Sequence, residues 1–332
     1  RLAPFLRVFG DAATAINERL VQGAVAARDA ISFNASHVWA QDPWLVIGLY
    51  LGLWHQLRIG RRPFRLIVSE HGLGSFAQAA RLDGLSFDLN GLRRLILLEQ
   101  HIVRRADCVF IPSRSAADAL MRDLRWNQLP SNCHVVGYGC PEQALPDRDD
   151  ARKELNLPEK TPVVLAMGRL SPVKRYDRVI DALIQLGQRH GIDAQLVIAG
   201  DGDREYLHAR TGVERLHYPP LIGRVEDVSL CLAAADIYIS ACDSESFGLA
   251  NREAIAAGLP CVVASGGASD CVLDSGCWLM PPDPRIMADA VSTVLREPTV
   301  ARFWRKQAIE AITEWPSWER ITDQYEQLLL NA

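Results

Sequence analysis

The sequence has no excess of basic charge: 36 Lys and Arg stand against 40 Asp and Glu, a formal net charge of −4. A broad positive face for phosphate backbones is therefore missing, which argues against nucleic acid as a partner. Its eight cysteines include no Cys-x-x-Cys pair, and 332 residues can bury a core without a disulfide framework, so the thiols read as reduced, in a cytoplasmic protein. Long apolar runs are missing as well. The longest, Trp44 to Trp54, falls short of the roughly 20 residues of a membrane-spanning helix. Nothing at the N-terminus reads as a secretory signal. The sequence contains no G-x-G-x-x-G, no G-x-x-x-x-G-K-[ST], no H-E-x-x-H and no G-x-S-x-G. Those absences remove the usual grounds for a dehydrogenase, an ATPase, a zinc enzyme or a serine hydrolase. No solenoid repeat and no low-complexity tract appears.

What is present is an alternation of strands and helices in a chain long enough for two domains. From Thr161 onward, apolar runs at Val163–Met167, Gln195–Ala199, Ile237–Ala241, Cys261–Ala264 and Trp278–Met280 are separated by stretches with helical spacing. This is the pattern of β-α-β units in a doubly wound parallel sheet. The first half repeats the rhythm less fully, with strands expected at Ser36–Trp39, Arg65–Ser69, Cys108–Ile111 and Cys133–Val136. Helices are expected over Ala12–Arg28, Leu45–Leu57 and Leu92–Arg105. Pro141–Asp150 reads as the linker. A final amphipathic helix follows Pro316. The domains expected are 1–145, 151–314 and a closing helix at 315–332.

Two stretches carry chemistry. In the first, Ser244 to Glu253 lies between the end of a strand and the start of a helix, so its amides can attract phosphate, and Gly248 lets a phosphate come close. Glu253 sits about 7.5 Å further along the helix axis, within reach of a sugar hydroxyl attached to that phosphate, and Glu245 can reach the other side. The plain alternative is a surface loop with a helix-capping carboxylate. In the second stretch, Gly168-Arg169-Leu170-Ser171-Pro172-Val173-Lys174 also follows a strand directly. Its two cations suit a diphosphate, though they could equally be structural.

With Gly200-Asp201-Gly202, Gly223-Arg224-Val225, the Glu245-x7-Glu253 block and Gly266-Gly267, these residues stand in the order and spacing of a known family. The chain resembles the retaining glycosyltransferases of family four. The resemblance implies an α/β GT-B fold, two Rossmann-like domains facing each other across a cleft. It implies a nucleotide-diphosphate-sugar donor held mainly by the C-terminal domain, and a sugar, glycan or lipid-linked acceptor held mainly by the N-terminal one. Arg169 and Lys174 would neutralise the leaving diphosphate, Glu245 would contact the donor sugar, and Glu253 would bind the ribose hydroxyls. The turn of Gly168, Phe247 and the amides near Gly248 and Leu249 would complete the phosphate site. Gly200, Asp201, Gly202, Arg224 and Val225 would line the base pocket. No residue stands out as a covalent nucleophile, which fits a front-side transfer in which the departing phosphate takes the acceptor's proton. The chain opens on Arg1 without the family's first strand and Gly-rich turn, so its N-terminal domain is expected to be incomplete. A non-catalytic nucleotide-sugar-binding or partner subunit is the alternative. Asp270 stands where the family commonly has Glu.

His71, in Ser69-Glu70-His71-Gly72, is either a catalytic-site group beside the donor sugar or a histidine satisfied at a strand end. Asp42 is either an acceptor-side residue or the cap of the helix after it. Asp201-x-Asp203 resembles a divalent-metal motif, but the cations of Arg169 and Lys174 make transfer without metal or other cofactor the expectation. Arg58, Arg61, Arg62 and Arg65, next to the apolar helix, offer a candidate peripheral contact with an anionic membrane or else a solvated turn.

Overall fold

The computed structural model describes residues 12–54, 62–141, 144–224, 227–265 and 276–331. The chain divides into two compact units. One runs to Tyr138 and takes back the chain from Glu319, and the other runs from Gly139 to Trp318.

The first unit carries a four-stranded parallel sheet in the order β1 (His37–Ala40), β2 (Arg65–Ser69), β3 (Cys108–Ile111), β4 (Cys133–Val135). Its helices are α1 (Ala13–Ser32), α2 (Pro43–Gly52), α3 (Phe76–Leu82), α4 (Leu89–Arg105) and α5 (Arg114–Asp123). β3 is apolar and buried throughout, as a strand covered on both faces must be. Leu66 and Val68 face one core with α4 and α5. Ile67 faces the other, where the closing helix α13 (Trp318–Asn331) lays Tyr325 edge-on against Phe110, ring centroids 4.5 Å apart.

Glycine lets α1 and α2 pack backbone to backbone. A side chain at Gly48 would overlap the carbonyl of Leu20 and come within 2.7 Å of its Cα, and one at Gly23 would meet the amide of Leu49 at 2.8 Å.

The second unit begins with α6 (Arg148–Glu154), inside the stretch that reads as a linker. The Asp147 carboxylate accepts the amides of Asp149 and Asp150 and so starts the helix there. The elements that follow are β5 (Val163–Met167), α7 (Tyr176–His190), β6 (Gln195–Ala199), α8 (Arg204–Arg210), β7 (Leu221–Gly223), α9 (Val228–Ala234), β8 (Ile237–Ser240), α10 (Leu249–Ala256), β9 (Cys261–Ala264), β10 (Trp278–Met280), α11 (Pro284–Arg296) and α12 (Pro298–Ile312). The sheet is parallel, ordered β10-β9-β8-β5-β6-β7. Alternation along β5 sends Val164 and Ala166 to the core under α7 and α11. It sends Val163, Leu165 and Met167 to the core with α6, α9, α10 and α12. β7 was not anticipated, because three residues after two prolines are too short to show a period.

From β5 the chain winds one way to β6 and β7, then returns to wind the other way through β8, β9 and β10. The strand order therefore reverses between β5 and β8, and in open α/β sheets the crevice at the carboxyl ends of such a pair is where ligands bind.

Gly48→Ala is expected to lower the unfolding free energy by about 2 kcal/mol or more, read by urea titration. A loss below about 0.5 kcal/mol would mean that α1 and α2 can slide apart without penalty.

Candidate active site

The loops after β5 and β8 flank the reversal, and an ion pair bridges them. Lys174 Nζ lies 2.6 Å from Glu245 Oε1, with the two side chains 19% and 13% exposed. Burial pulls the Lys174 pKa down, but attraction to Glu245 outweighs it and leaves the ammonium more firmly protonated than in water. Backbone bonds bring the loops together: the Asp243 amide donates to the Val173 carbonyl at 3.1 Å. Asp243 also pairs with Arg175 at 2.7 Å and with Arg178, and these cations hold its carboxyl below the usual range despite partial burial.

The loop after β5 is also tied to the one after β6. The Leu170 amide donates to the Asp201 carbonyl at 2.9 Å, the Asp203 amide donates back to Leu170 at 3.2 Å, and the buried Tyr176 hydroxyl donates to the Gly168 carbonyl at 2.8 Å. A side chain at Gly200 would run into the Gly168 carbonyl, so the approach of these two loops requires glycine there. Arg169, Asp201, Gly202 and Arg224 are exposed at this edge. Asp201 Oδ1 accepts the Gly202 amide. Among the described residues, no group of three or more His, Cys, Asp or Glu side chains is arranged to hold a metal ion.

Across the reversal, α10 starts at Leu249 with Gly248 as its cap, at φ 72° and with no side chain of its own to accept a first-turn amide. Phe247 and Gly248 are buried and Leu249 is exposed. The helix is anchored by the Tyr238 hydroxyl, which donates to Asn251 Oδ1 at 2.9 Å. The Arg252 guanidinium sits 3.9 Å from the Phe247 ring centroid and 4.3 Å from that of Trp315. Glu253 is half-buried, and burial raises its pKa above the ordinary carboxyl value.

The structure thus brings together Gly168, Lys174, Gly200, Gly202, Glu245, Phe247 and Gly248 at one end of the second sheet. Val225, Gly266, Gly267 and Asp270 lie outside the described residues. Tyr176, Arg175, Asp243, Asn251 and Arg252 hold the site in shape and were not legible in advance, since each acts through a partner on another element or loop.

In the first unit, His71 follows β2. Its Nδ1 lies 2.7 Å from the Tyr138 hydroxyl and its Nε2 3.0 Å from Gln41 Oε1. A neutral ring meets both, with Nε2–H donating to Gln41 and Nδ1 accepting from Tyr138. Desolvation lowers its pKa against the pull of Asp42, so the ring stays neutral at physiological pH. Asp42 is buried, accepts the Leu45 amide as cap of α2, and pairs with Arg19 at 3.2 Å. Of the four arginines offered as a membrane contact, Arg58 and Arg61 lie outside the described residues. Arg62 bonds the Arg105 carbonyl and pairs with Asp107 at 3.0 Å, and Arg65 is exposed on β2. No helix among the described residues is long and apolar enough to cross a membrane.

Residues 147–311 match the family described as "Glycosyl transferases group 1". The chain is 28% identical over 188 residues to an N-acetyl-alpha-D-glucosaminyl L-malate synthase of Bacillus anthracis, covering 55% of this chain and 49% of that one. It is 30% identical over 291 residues to a GDP-mannose-dependent monoacylated alpha-(1-6)-phosphatidylinositol monomannoside mannosyltransferase of Corynebacterium glutamicum, covering 80% and 70%. The chain spans about half the length of several curated relatives that it matches. Its backbone superposes on Anabaena Alr3699/HepE, solved with UDP-glucose, with a TM-score of 0.74 over 93% of this chain and 82% of that one, at 18% identity. That likeness supports the fold, a GT-B arrangement of two parallel-sheet α/β domains. The extended match to the Corynebacterium enzyme, together with the family match across the sheet that carries the Lys174–Glu245 bridge, places this chain among the group 1 glycosyltransferases.

Proposed function

We propose that the chain works as a retaining, metal-independent glycosyltransferase that moves a sugar from a nucleotide-diphosphate donor to an acceptor hydroxyl. The observation that carries this reading is the Lys174–Glu245 pair at the strand-order reversal, beside a helix start whose cap residue is a glycine. A diphosphate laid there meets the Lys174 ammonium, the Arg169 guanidinium and the first turn of α10. Fixed charge and oriented amides of this kind stabilise the developing phosphate anion without reorganising during the reaction. In the proposed step the bond between the anomeric carbon and the departing phosphate oxygen breaks. The acceptor oxygen forms its bond on the same face, and its proton passes to the departing oxygen. Glu253 accepts the ribose hydroxyls and Glu245 a hydroxyl of the donor sugar. Neutral His71 is read as a hydrogen-bonding group for sugar hydroxyls. The relatives named for GDP-mannose and the structure solved with UDP-glucose make GDP and UDP the first nucleotides to try.

One nucleotide from a panel of UDP, GDP, ADP and CDP is expected to raise the melting temperature by several degrees at a hundredfold excess over its dissociation constant. This corresponds to about 2.7 kcal/mol. The shift should survive a chelator and disappear in Glu253→Ala. Loss of turnover in chelator with rescue by manganese would contradict the metal-free step, and binding without turnover would make the chain a nucleotide-sugar-binding subunit.

Lys174→Ala is expected to lower kcat about a hundredfold or more with a smaller change in donor KM. Because it also leaves Glu245 half-buried without its cation, it should cost roughly 3 kcal/mol of stability, restored in part by adding Glu245→Gln. NMR of the product should show the donor's anomeric configuration, and an inverted product would contradict the front-side step.

A further inference from the structure

Along β2 the side chains of Leu66 and Val68 point into the core with α4 and α5, and Glu70 follows them in the same alternation, one step past the strand's end. Glu70 is 1% exposed, and neither of its carboxylate oxygens has a hydrogen-bond partner among the described residues. The other acids around it are all used. Asp42 caps α2 and pairs with Arg19 of α1. Glu99 of α4, also 1% exposed, accepts the Phe76 amide at 2.8 Å and the Ala77 amide at 3.4 Å, so it holds the start of α3. Asp123, at the end of α5, accepts the Ser75 amide at 2.8 Å.

Among the described residues, the titratable groups that act on Glu70 or are acted on by it are Glu99 of α4, Asp42 at the head of α2 and Cys133 of β4, and Asp123 acts on Glu99. The cation paired into this set is Arg19, on Asp42. An ionised carboxylate without a partner in such a place costs far more than it costs the group to keep its proton. Burial and the neighbouring Glu99 both push the Glu70 carboxyl well above its ordinary value, and burial pushes Glu99 up to about 8.

We propose that Glu70 is a positioning residue for His71: packed as the uncharged acid, it seats the turn 70–75, and ionisation unseats that turn and the imidazole with it. The His71 ring is held by Tyr138 and Gln41, and the backbone of the turn by a short set of bonds. The Glu70 amide donates to the Phe110 carbonyl at 2.9 Å, and the Ser75 and Phe76 amides rest on Asp123 and Glu99. The link to catalysis rests on the reading of His71 given above, whereas the link to the turn does not.

A carboxyl that holds its proton more tightly folded than unfolded gives stability that is complete below about pH 4 and fades as pH rises through the folded-state value. Glu70→Gln keeps the shape and cannot ionise. Wild type and Glu70→Gln should melt together near about pH 4, with the variant ahead by several degrees by about pH 9. In wild type, amide exchange over 71–76, corrected for intrinsic base catalysis, should lose about tenfold protection across the same range, and in Glu70→Gln it should not. The alkaline limb of turnover should move up by about one pH unit or more in the variant. Equal melting at every pH, or a variant that falls behind at alkaline pH, overturns the proposal. If melting and exchange behave as stated while the alkaline limb does not move, the coupling to His71 is overturned. A chain with no turnover on any donor fails the transferase reading instead, and melting and exchange still decide the role of Glu70.

Discussion

The ion pair between Lys174 and Glu245 spans the point where the strand order of the second sheet reverses, and the rest of the site is arranged around it. Two parallel strands that wind apart leave a crevice at their carboxyl ends, where the loops diverge. Without the pair, backbone and Asp243 contacts alone would join the two loops across the crevice. The pair closes it at 2.6 Å, and the Asp243 amide bond to Val173 and the guanidinium contacts of Arg175 and Arg178 fix the same two loops from below. A half-buried pair of this kind adds little net stability, since desolvation offsets most of the attraction. Its effect is geometric: an ammonium and a carboxylate are held at the crevice where the proposed function puts the diphosphate and the sugar.

The two units solve the problem of charge at strand ends differently. In the second, cation and anion are matched, and α10 is capped by a glycine. In the first, acids gather: Asp42 pairs with Arg19 and, like Glu99, holds a helix start, and burial pushes the Glu70 carboxyl well above its ordinary value. His71 sits at the edge of that acidic set as a neutral ring between Gln41 and Tyr138. The burial that raises Tyr138 also keeps its hydroxyl protonated, so it can donate to the imidazole.

Much of this was legible in the sequence, for identifiable reasons. β5 and β6 are five-residue strands, apolar but for Gln195 and each followed by glycine, so their place in a parallel sheet follows from composition alone. Lys174, Glu245, Gly248 and Glu253 could be located because each lies at a fixed offset from a strand end. The pairing of Lys174 with Glu245 could not be read, because it depends on which strands become neighbours 71 residues apart. The same holds for the Arg252 stack between Phe247 and Trp315, and for the burial of Glu70, which looks like any loop acid in sequence. The Pro- and Asp-rich stretch reads as a linker to Asp150, and its last three residues lie in a helix because Asp147 is also a good helix cap.

The account stands on the claim that a nucleotide diphosphate binds at the strand-order reversal of the second unit. The most direct test is amide hydrogen exchange of the whole chain with and without the nucleotide that shifts its melting. Protection is predicted for 168–176 and for 248–253, with 284–296 unchanged. Protection that appears elsewhere and spares both of the first two segments would contradict the site.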